Sequence, residues 1–321
     1  MKIGVVGAGA IGGWIAAKCA QGGHRVSVLA RGPTLAGIRA NGIILHEDGG
    51  TIARAVSASD RAAELGPQDL LVIAVKAPAL ATVAAMVGDM MTPETAIVAM
   101  LNGVPWWFLG DRPELKPASL DPAGTIAACL PLSQVIGSVV HAACASPEPG
   151  VVRRNFGNGL IIGEPAGGVT ARVQDVGGVF SDAGLDVTVS ERIQQDIWYK
   201  LWGNMTMNPI SALTRATSDR ILDDPLIETF ALGIMAEAAS IGAAIGCPIA
   251  ESGADRMEVT RKLGAFRTSM LQDVEAGRAI EIDALLAAPR EIGQRAGIAT
   301  PNMDALLGLL RVFDESRRGG G

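Results

Sequence analysis

The chain has 321 residues, enough for two domains, and it is 49% hydrophobic with 19% charged residues, which excludes disorder and implies a well-buried globular protein. A formal net charge of −6 argues against nucleic-acid binding, and the one basic run is the trailing Arg317-Arg318. Four cysteines without metal-ligand spacing and three scattered histidines point to reduced thiols in a cytoplasm and to no metal site.

The first thirty-one residues organise the rest. Lys2 to Val6 is an apolar run of strand length, and Gly7-Ala8-Gly9-Ala10-Ile11-Gly12 follows it at once. An Ala-rich helical segment from Gly13 to Gln21 leads to a second strand, Arg25 to Ala30, which ends on Arg31. Strand, glycine turn, helix and strand make a βαβ unit in which each glycine has a mechanical task. Gly7 allows the tight turn, Gly9 lets the backbone approach a pyrophosphate, and Gly12 lets helix and strand pack closely. A diphosphate would then meet free N–H groups at the positive end of the helix dipole. An NAD-preferring unit carries an acid after the second strand to accept the ribose 2′-OH. Arg31 stands there instead and can pair with a 2′-phosphate, so NADP(H) is the expected cofactor. The other reading of Arg31 is a solvated loop residue. The apolar N-terminus is not read as a signal peptide, because its glycines keep fingerprint spacing and no polar cleavage region follows.

Ile43 to Leu45 and Thr51 to Ala53 flank Asp48-Gly49-Gly50, a hairpin turn. Asp69 to Val75 is nearly all apolar, as a parallel strand covered on both faces must be, and it delivers Lys76 at its C-terminal end. Ala79 to Val87 reads as a helix. Thr95 to Met100 reads as another buried strand, and it ends at Leu101-Asn102-Gly103. Pro105 to Ser133 is an irregular insertion opening on Trp106-Trp107-Phe108. It is either a lid or a loop that its aromatics anchor to the body. Val135 to Ala143 and Leu160 to Gly163 read as strands, with His141-Ala142-Ala143 between them. Val169 to Ala183 has helical spacing, and Asp186 to Val189 is the last strand.

From Glu191 strand patterns vanish and helical periodicity takes over, broken at Asn208-Pro209, Asp224-Pro225, Gly246-Cys247-Pro248 and Thr300-Pro301. The expected architecture is α/β: a Rossmann-type domain over 1–190, then an all-helical domain over 191–321. Ala231 to Ala250 is long and apolar, yet Glu237 and its Gly and Pro interruptions favour a buried helix over a membrane span. Arg317 to Gly321 should fray.

The helical half holds the concentrated chemistry. On a helix Lys200, Asn204 and Asn208 fall at i, i+4 and i+8 and share one face. Such a stripe is either solvated or, given its Trp, Leu and Met neighbours, partly desolvated; a desolvated lysine has a lowered pKa and becomes a usable acid. Asp273, Glu275, Glu281 and Asp283 form a second cluster that spacing alone reads as ordinary surface acids.

These points together resemble the ketopantoate reductase (2-dehydropantoate 2-reductase) family over nearly the full chain. The match rests on Gly7-x-Gly9-x-x-Gly12, Arg31, Lys76, Asn102-Gly103, His141-Ala142-Ala143, Lys200 with Asn204 and Asn208-Pro209, Ser269 to Asp273, and Glu281-Ile282-Asp283. The resemblance implies that NADPH binds the first domain and reduces a substrate in a cleft between the two. It implies Lys200 as general acid and Glu281 as an acid touching substrate and cofactor. It also implies Asn204, Asn208 and Ser269 on the substrate, Asn102 beside the nicotinamide ribose, and Ala143 at a cofactor contact. The expected cofactor set is then Gly7, Ala8, Gly9, Ala10, Ile11, Gly12, Arg31, Lys76, Asn102, Ala143 and Glu281, with Asn102 also facing substrate.

The chain departs from the family pattern in three places. Ala284 to Ala287 replaces an aromatic followed by Asn-Gly, Thr217-Ser218 replaces an asparagine, and the Trp-Trp insertion is unlike compact members. The expected activity is NADPH-dependent reduction of a small 2-oxo acid, first of all 2-dehydropantoate. The alternatives are a 2-hydroxyacid dehydrogenase for a bulkier or aromatic acid, which Trp106 and Trp107 would suit, and a non-catalytic NADP-sensing protein. No nucleic acid, membrane or metal is expected, and a homodimer is left open.

Overall fold

A computed structural model describes residues 1–319. By compactness the chain divides into two units, one of residues 1–101 and 123–196, the other of residues 102–122 and 197–321.

The first unit holds ten strands: β1 (Lys2–Val6), β2 (Arg25–Leu29), β3 (Ile43–Glu47), β4 (Gly50–Arg54), β5 (Ser57–Ser59), β6 (Leu70–Ile73), β7 (Ala96–Ala99), β8 (Val135–Glu148), β9 (Val151–Gly163) and β10 (Asp186–Ser190). They form one mixed sheet in the order β4-β3-β9-β8-β7-β6-β1-β2-β5, with β10 paired to β9. The segment from β7 to β5 is parallel, with Val6 in register with Leu29 and Ile73, and Ile73 with Ala99. Strands β1, β6 and β7 therefore read as unbroken apolar runs. Ile3, Val5, Leu70, Val72 and Val98 are fully buried, and each side chain so removed from water contributes about 1.5–3 kcal/mol before chain entropy is subtracted. Helices α1 (Ala10–Gln21), α2 (Gly32–Asn41), α3 (Ala62–Leu65), α4 (Leu80–Ala84), α5 (Thr125–Cys129) and α6 (Ala171–Asp182) complete the unit. In α6 the Thr170 hydroxyl caps the first turn by accepting from Val173 N.

Two local expectations are corrected in this unit. The helix expected over Ala79 to Val87 is a 3₁₀ turn (Ala77–Ala79) followed by the short α4. His141-Ala142-Ala143 does not separate two strands but lies inside β8, which forms a long antiparallel hairpin with β9. The hairpin escaped notice because its outer part carries exposed Arg153, Asn155 and Phe156 and two register shifts near Ala143, so no apolar alternation marks it.

The second unit is helical: α7 (Ile193–Thr214), whose first turn belongs to the first unit, then α8 (Ser218–Leu222), α9 (Pro225–Ala244), α10 (Gly253–Arg261), α11 (Ser269–Glu275), α12 (Ala288–Arg295) and α13 (Pro301–Gly319). Helix α7 continues through Asn208-Pro209 without interruption, against the expected break. An internal proline costs about 3 kcal/mol, but Met205, Met207, Ile210 and Ala212 are buried on both sides of it, so packing holds the two halves in one helix. At Asp224-Pro225 the break is real. Asp224 caps α9 by accepting from Leu226 N and Ile227 N, and Pro225 takes the first helical position, where no amide is required.

Helix α9 is long and apolar enough to cross a membrane by length and composition. Its Glu237, buried, accepts from Asn302 N, Asn302 Nδ2 and Met303 N at 2.7–2.9 Å, and so caps the start of α13. Trp198 and Trp202 donate to Ala238 O and Met235 O, which locks α7 onto α9. Phe108 stacks on Trp198 at 6.1 Å, and Trp106, Trp107 and Leu109 are buried beside it, so the aromatics anchor their loop in this unit's core. Arg317 and Arg318 continue α13 and both pair with Asp314; Gly320 and Gly321 lie outside the described residues.

Candidate active site

In the sheet unit the glycine turn opens at the C-terminal edge of the parallel strands, where Gly7 N donates to Leu29 O. Gly7 has φ +89, a conformation other residues adopt at a cost. A Cβ on Gly12 would lie 1.9 Å from Gly7 O, so only glycine lets α1 pass that close to the turn. A Cβ on Gly9 would meet nothing within 4 Å. The space above Gly9 is open, and the amides of Ala10, Ile11 and Gly12 in the first turn of α1 have no carbonyl four residues back within the helix. Open space above Gly9 thus lies beside the N–H groups of a helix N-terminus, an arrangement that suits an anion.

The same edge carries the two candidate cations. Arg31 follows β2 as the N-cap of α2, and Lys76 follows β6; both are exposed. Strand β8 leaves its pairing with β7 at Val98–Ile136 and continues past that edge, so Ala143, opposite Phe156, lies on the same side of the sheet.

The helical unit gathers the other group. Lys200 Nζ donates to Asn102 Oδ1 at 3.3 Å, although the two are 98 residues apart in sequence. Glu281 is buried and interacts electrostatically with Lys200. Lys200 and Asn204 are half-buried and Asn208 buried, so the face of α7 that carries these three side chains is partly withdrawn from water. Burial lowers the Lys200 ammonium to about 8, with the Glu281 carboxylate opposing the shift. A cation that titrates near neutrality, beside an amide oxygen and an anion, can stabilise developing negative charge and give up a proton.

Ser269 is the exposed first residue of α11, behind its Thr268 cap. The remaining acids are held elsewhere. Asp273 is buried and paired with Arg278 at 2.9 Å, Glu275 pairs with Arg267, and Asp283 is exposed.

One arrangement escaped the sequence reading. Directly after Glu281 the chain forms a π-helical turn, Asp283–Ala287, and Val104 N donates to Ala284 O of that turn at 2.8 Å. Gly103, with φ +83, lies against the same carbonyl. The dipeptide Asn102-Gly103 was the available sign, since Asn-Gly marks a tight turn. Its docking partner Ala284, far along the chain, left none.

Family models cover both halves of the chain: ketopantoate reductase PanE/ApbA matches residues 3–167, and its C-terminal domain matches residues 192–314. A 2-dehydropantoate 2-reductase of Mesorhizobium japonicum is 41% identical over 97% of each chain. The crystal structure of a putative ketopantoate reductase from Ralstonia solanacearum superposes with a TM-score of 0.94 at 52% identity, covering 98% of each chain. That of 2-dehydropantoate 2-reductase from Methylococcus capsulatus superposes with a TM-score of 0.85 at 28% identity, covering 99% of this chain and 98% of its own. With a Rossmann-like sheet unit, a helical unit carrying a desolvated lysine, and these matches along its length, the chain belongs to the ketopantoate reductase family of oxidoreductases acting on CH–OH groups.

Proposed function

We propose that the protein reduces a small 2-oxo acid to the 2-hydroxy acid with NADPH, and that 2-dehydropantoate is the first substrate to test. The observation that carries this reading is Lys200: a lysine with its ammonium lowered to about 8, hydrogen-bonded to Asn102 and coupled to Glu281. The reduced nicotinamide, when bound, supplies hydride to the carbonyl carbon of the substrate.

The residues for the cofactor are Gly7 to Gly12 at the diphosphate, Arg31 at the 2′-phosphate, and Lys76, Asn102, Ala143 and Glu281. The open space above Gly9 and the first-turn amides of α1, which have no partner within the helix, fit a diphosphate. Arg31, exposed at the end of β2 where no acid stands, favours the phosphorylated dinucleotide. As negative charge grows on the substrate oxygen, the Lys200 ammonium stabilises it and then donates its proton. Glu281 keeps that ammonium charged at neutral pH. Asn204, Asn208 and Ser269 bind and orient the carboxylate and the 2-oxo group, chiefly a gain in orientation.

Trp106 and Trp107 are core residues of the helical unit, so they lend no weight to a bulkier or aromatic acid. A cytoplasmic setting accords with the four cysteines, all of them free thiols. The test is NADPH oxidation across a panel of 2-oxo acids, including 2-dehydropantoate and phenylglyoxylate. Turnover is expected with the aliphatic acids and to collapse in Lys200→Ala. No oxidation with any acid would leave the sensing alternative standing.

A further inference from the structure

The segment leaving β7 and the turn leaving Glu281 are fastened to each other by backbone. Val104 N donates to Ala284 O at 2.8 Å, and Leu285 N in turn donates to Glu281 O at 3.2 Å. Around this junction the chains come closer than any side chain would allow. A Cβ built on Gly103 would lie 2.3 Å from Ala284 O, 2.5 Å from its carbonyl carbon and 2.8 Å from its Cβ. Gly103 also has φ +83, in the left-handed region. Both partners of the close approach are thus minimal in size, and both are one to three residues from a group of the site: Gly103 follows Asn102, and Ala284 stands three residues after Glu281. Val104 and Ala284 are buried, at 2% and 3% exposure, so the hydrogen bond between them is shielded from water. A π-helical turn such as Asp283–Ala287 is a rare conformation that occurs mostly as a single turn inside α-helices, frequently at functional sites.

We propose that Gly103 is a positioning residue: its close packing on Ala284 fixes the Asn102 amide and the Glu281 carboxylate against the Lys200 ammonium. The inference rests on the reading of Lys200 as general acid. Asn102 reaches the site by a single turn after β7, and Glu281 by a π turn with no capping side chain. The Gly103–Ala284 junction ties these two supports to each other, and any residue larger than glycine at its first half must push the Ala284 backbone away. Gly103 itself touches no reacting atom in this scheme. Its effect passes through the spacing of Asn102, Glu281 and Lys200, where an error near 1 Å is enough to lower turnover by roughly 10²-fold.

The experiment is a double-mutant cycle on the full-length enzyme with NADPH and the best acid of the panel. Gly103→Ala is expected to lower kcat by about 10- to 100-fold. The same substitution in a Lys200→Ala background is expected to cost less than about threefold, because the group it positions is gone. An equal loss in both backgrounds, or near-native kcat in Gly103→Ala, overturns the inference. Lys200→Ala with undiminished turnover instead overturns the general-acid reading, so the two failures are distinct. If Gly103→Ala does not fold by circular dichroism, Ala284→Val loads the junction from its other side and the cycle is read in the same way.

Discussion

The two units place their functional groups by different means. In the sheet unit the turn from Gly7 to Gly12 is a largely local object: six consecutive residues between a strand and a helix, with the closest approach, at Gly12, set by Gly7 O, and only Ala74 and Val75 at the end of the neighbouring strand crowding it from elsewhere in the sequence. In the helical unit the group around Lys200 is assembled from residues 102, 200 and 281, which only tertiary packing brings together. A local object tolerates change elsewhere and fails when one of its own backbone positions is altered. An assembled object can fail from a distance, through any support that sets the spacing of its parts. In the proposed reaction, the chemistry that needs geometric tolerance within a fraction of an ångström therefore sits on the less autonomous of the two constructions.

The largest expected effects separate the units by function. Lys200→Ala should lower kcat by about two or more orders of magnitude, the scale of general-acid and electrostatic terms, while NADPH affinity measured by fluorescence titration stays within about threefold. The converse pattern is expected in the glycine turn. Gly9→Ala adds a methyl where nothing stands within 4 Å, so the melting temperature should hardly move while NADPH dissociation rises by about 10- to 100-fold, in keeping with loss of one or more charge-assisted hydrogen bonds. Gly12→Ala drives its methyl into Gly7 O and should destabilise the fold by about 1–3 kcal/mol or more. If Gly9→Ala binds NADPH like the parent protein, the turn is not the diphosphate site.

A smaller effect tests the cofactor choice. Arg31→Ala should weaken NADPH by about tenfold, near the 1.5–3 kcal/mol of a charged hydrogen-bonded pair reduced by solvent exposure, and leave NADH unchanged. Equal weakening of both cofactors would return Arg31 to the solvated-loop reading.

What could be read in the sequence follows the same division. The βαβ turn was legible because its six residues stand together in sequence between a strand and a helix: a Cβ is excluded at Gly12 by an atom five residues away, and Gly7 has φ +89, although Ala74 and Val75 also crowd Gly7 from outside the turn. The shared face of Lys200, Asn204 and Asn208 was legible from helical periodicity, but whether that face met water was not, since burial is set by segments distant in sequence. The helix break expected at Pro209 failed because a local propensity was outweighed by the burial of Met205, Met207 and Ile210. The docking of Gly103 on Ala284 was invisible for the same reason, and so was the π turn. No residue pattern specifies a π turn, which is a consequence of what holds it.

The smallest effect is a displacement of a pH limb, and it tests whether the assembled group acts as one. Lys200 must be protonated to act as an acid, and burial has lowered it from the ordinary lysine value of 10.5 to about 8. In the reducing direction kcat/KM should therefore be level below about pH 8 and fall tenfold per pH unit above it. The carboxylate of Glu281 favours the charged lysine and so works against burial. Replacing it in Glu281→Gln removes that opposition, the lysine loses its proton more readily, and the limb must move to lower pH. Whatever the variant does to the height of the profile, the direction of this displacement is fixed by the sign of the interaction. A limb that stays in place would mean that the carboxylate and the ammonium are not coupled. A limb that moves to higher pH would contradict the sign of the Glu281–Lys200 interaction, and Lys200 would lose its role as the titrating group.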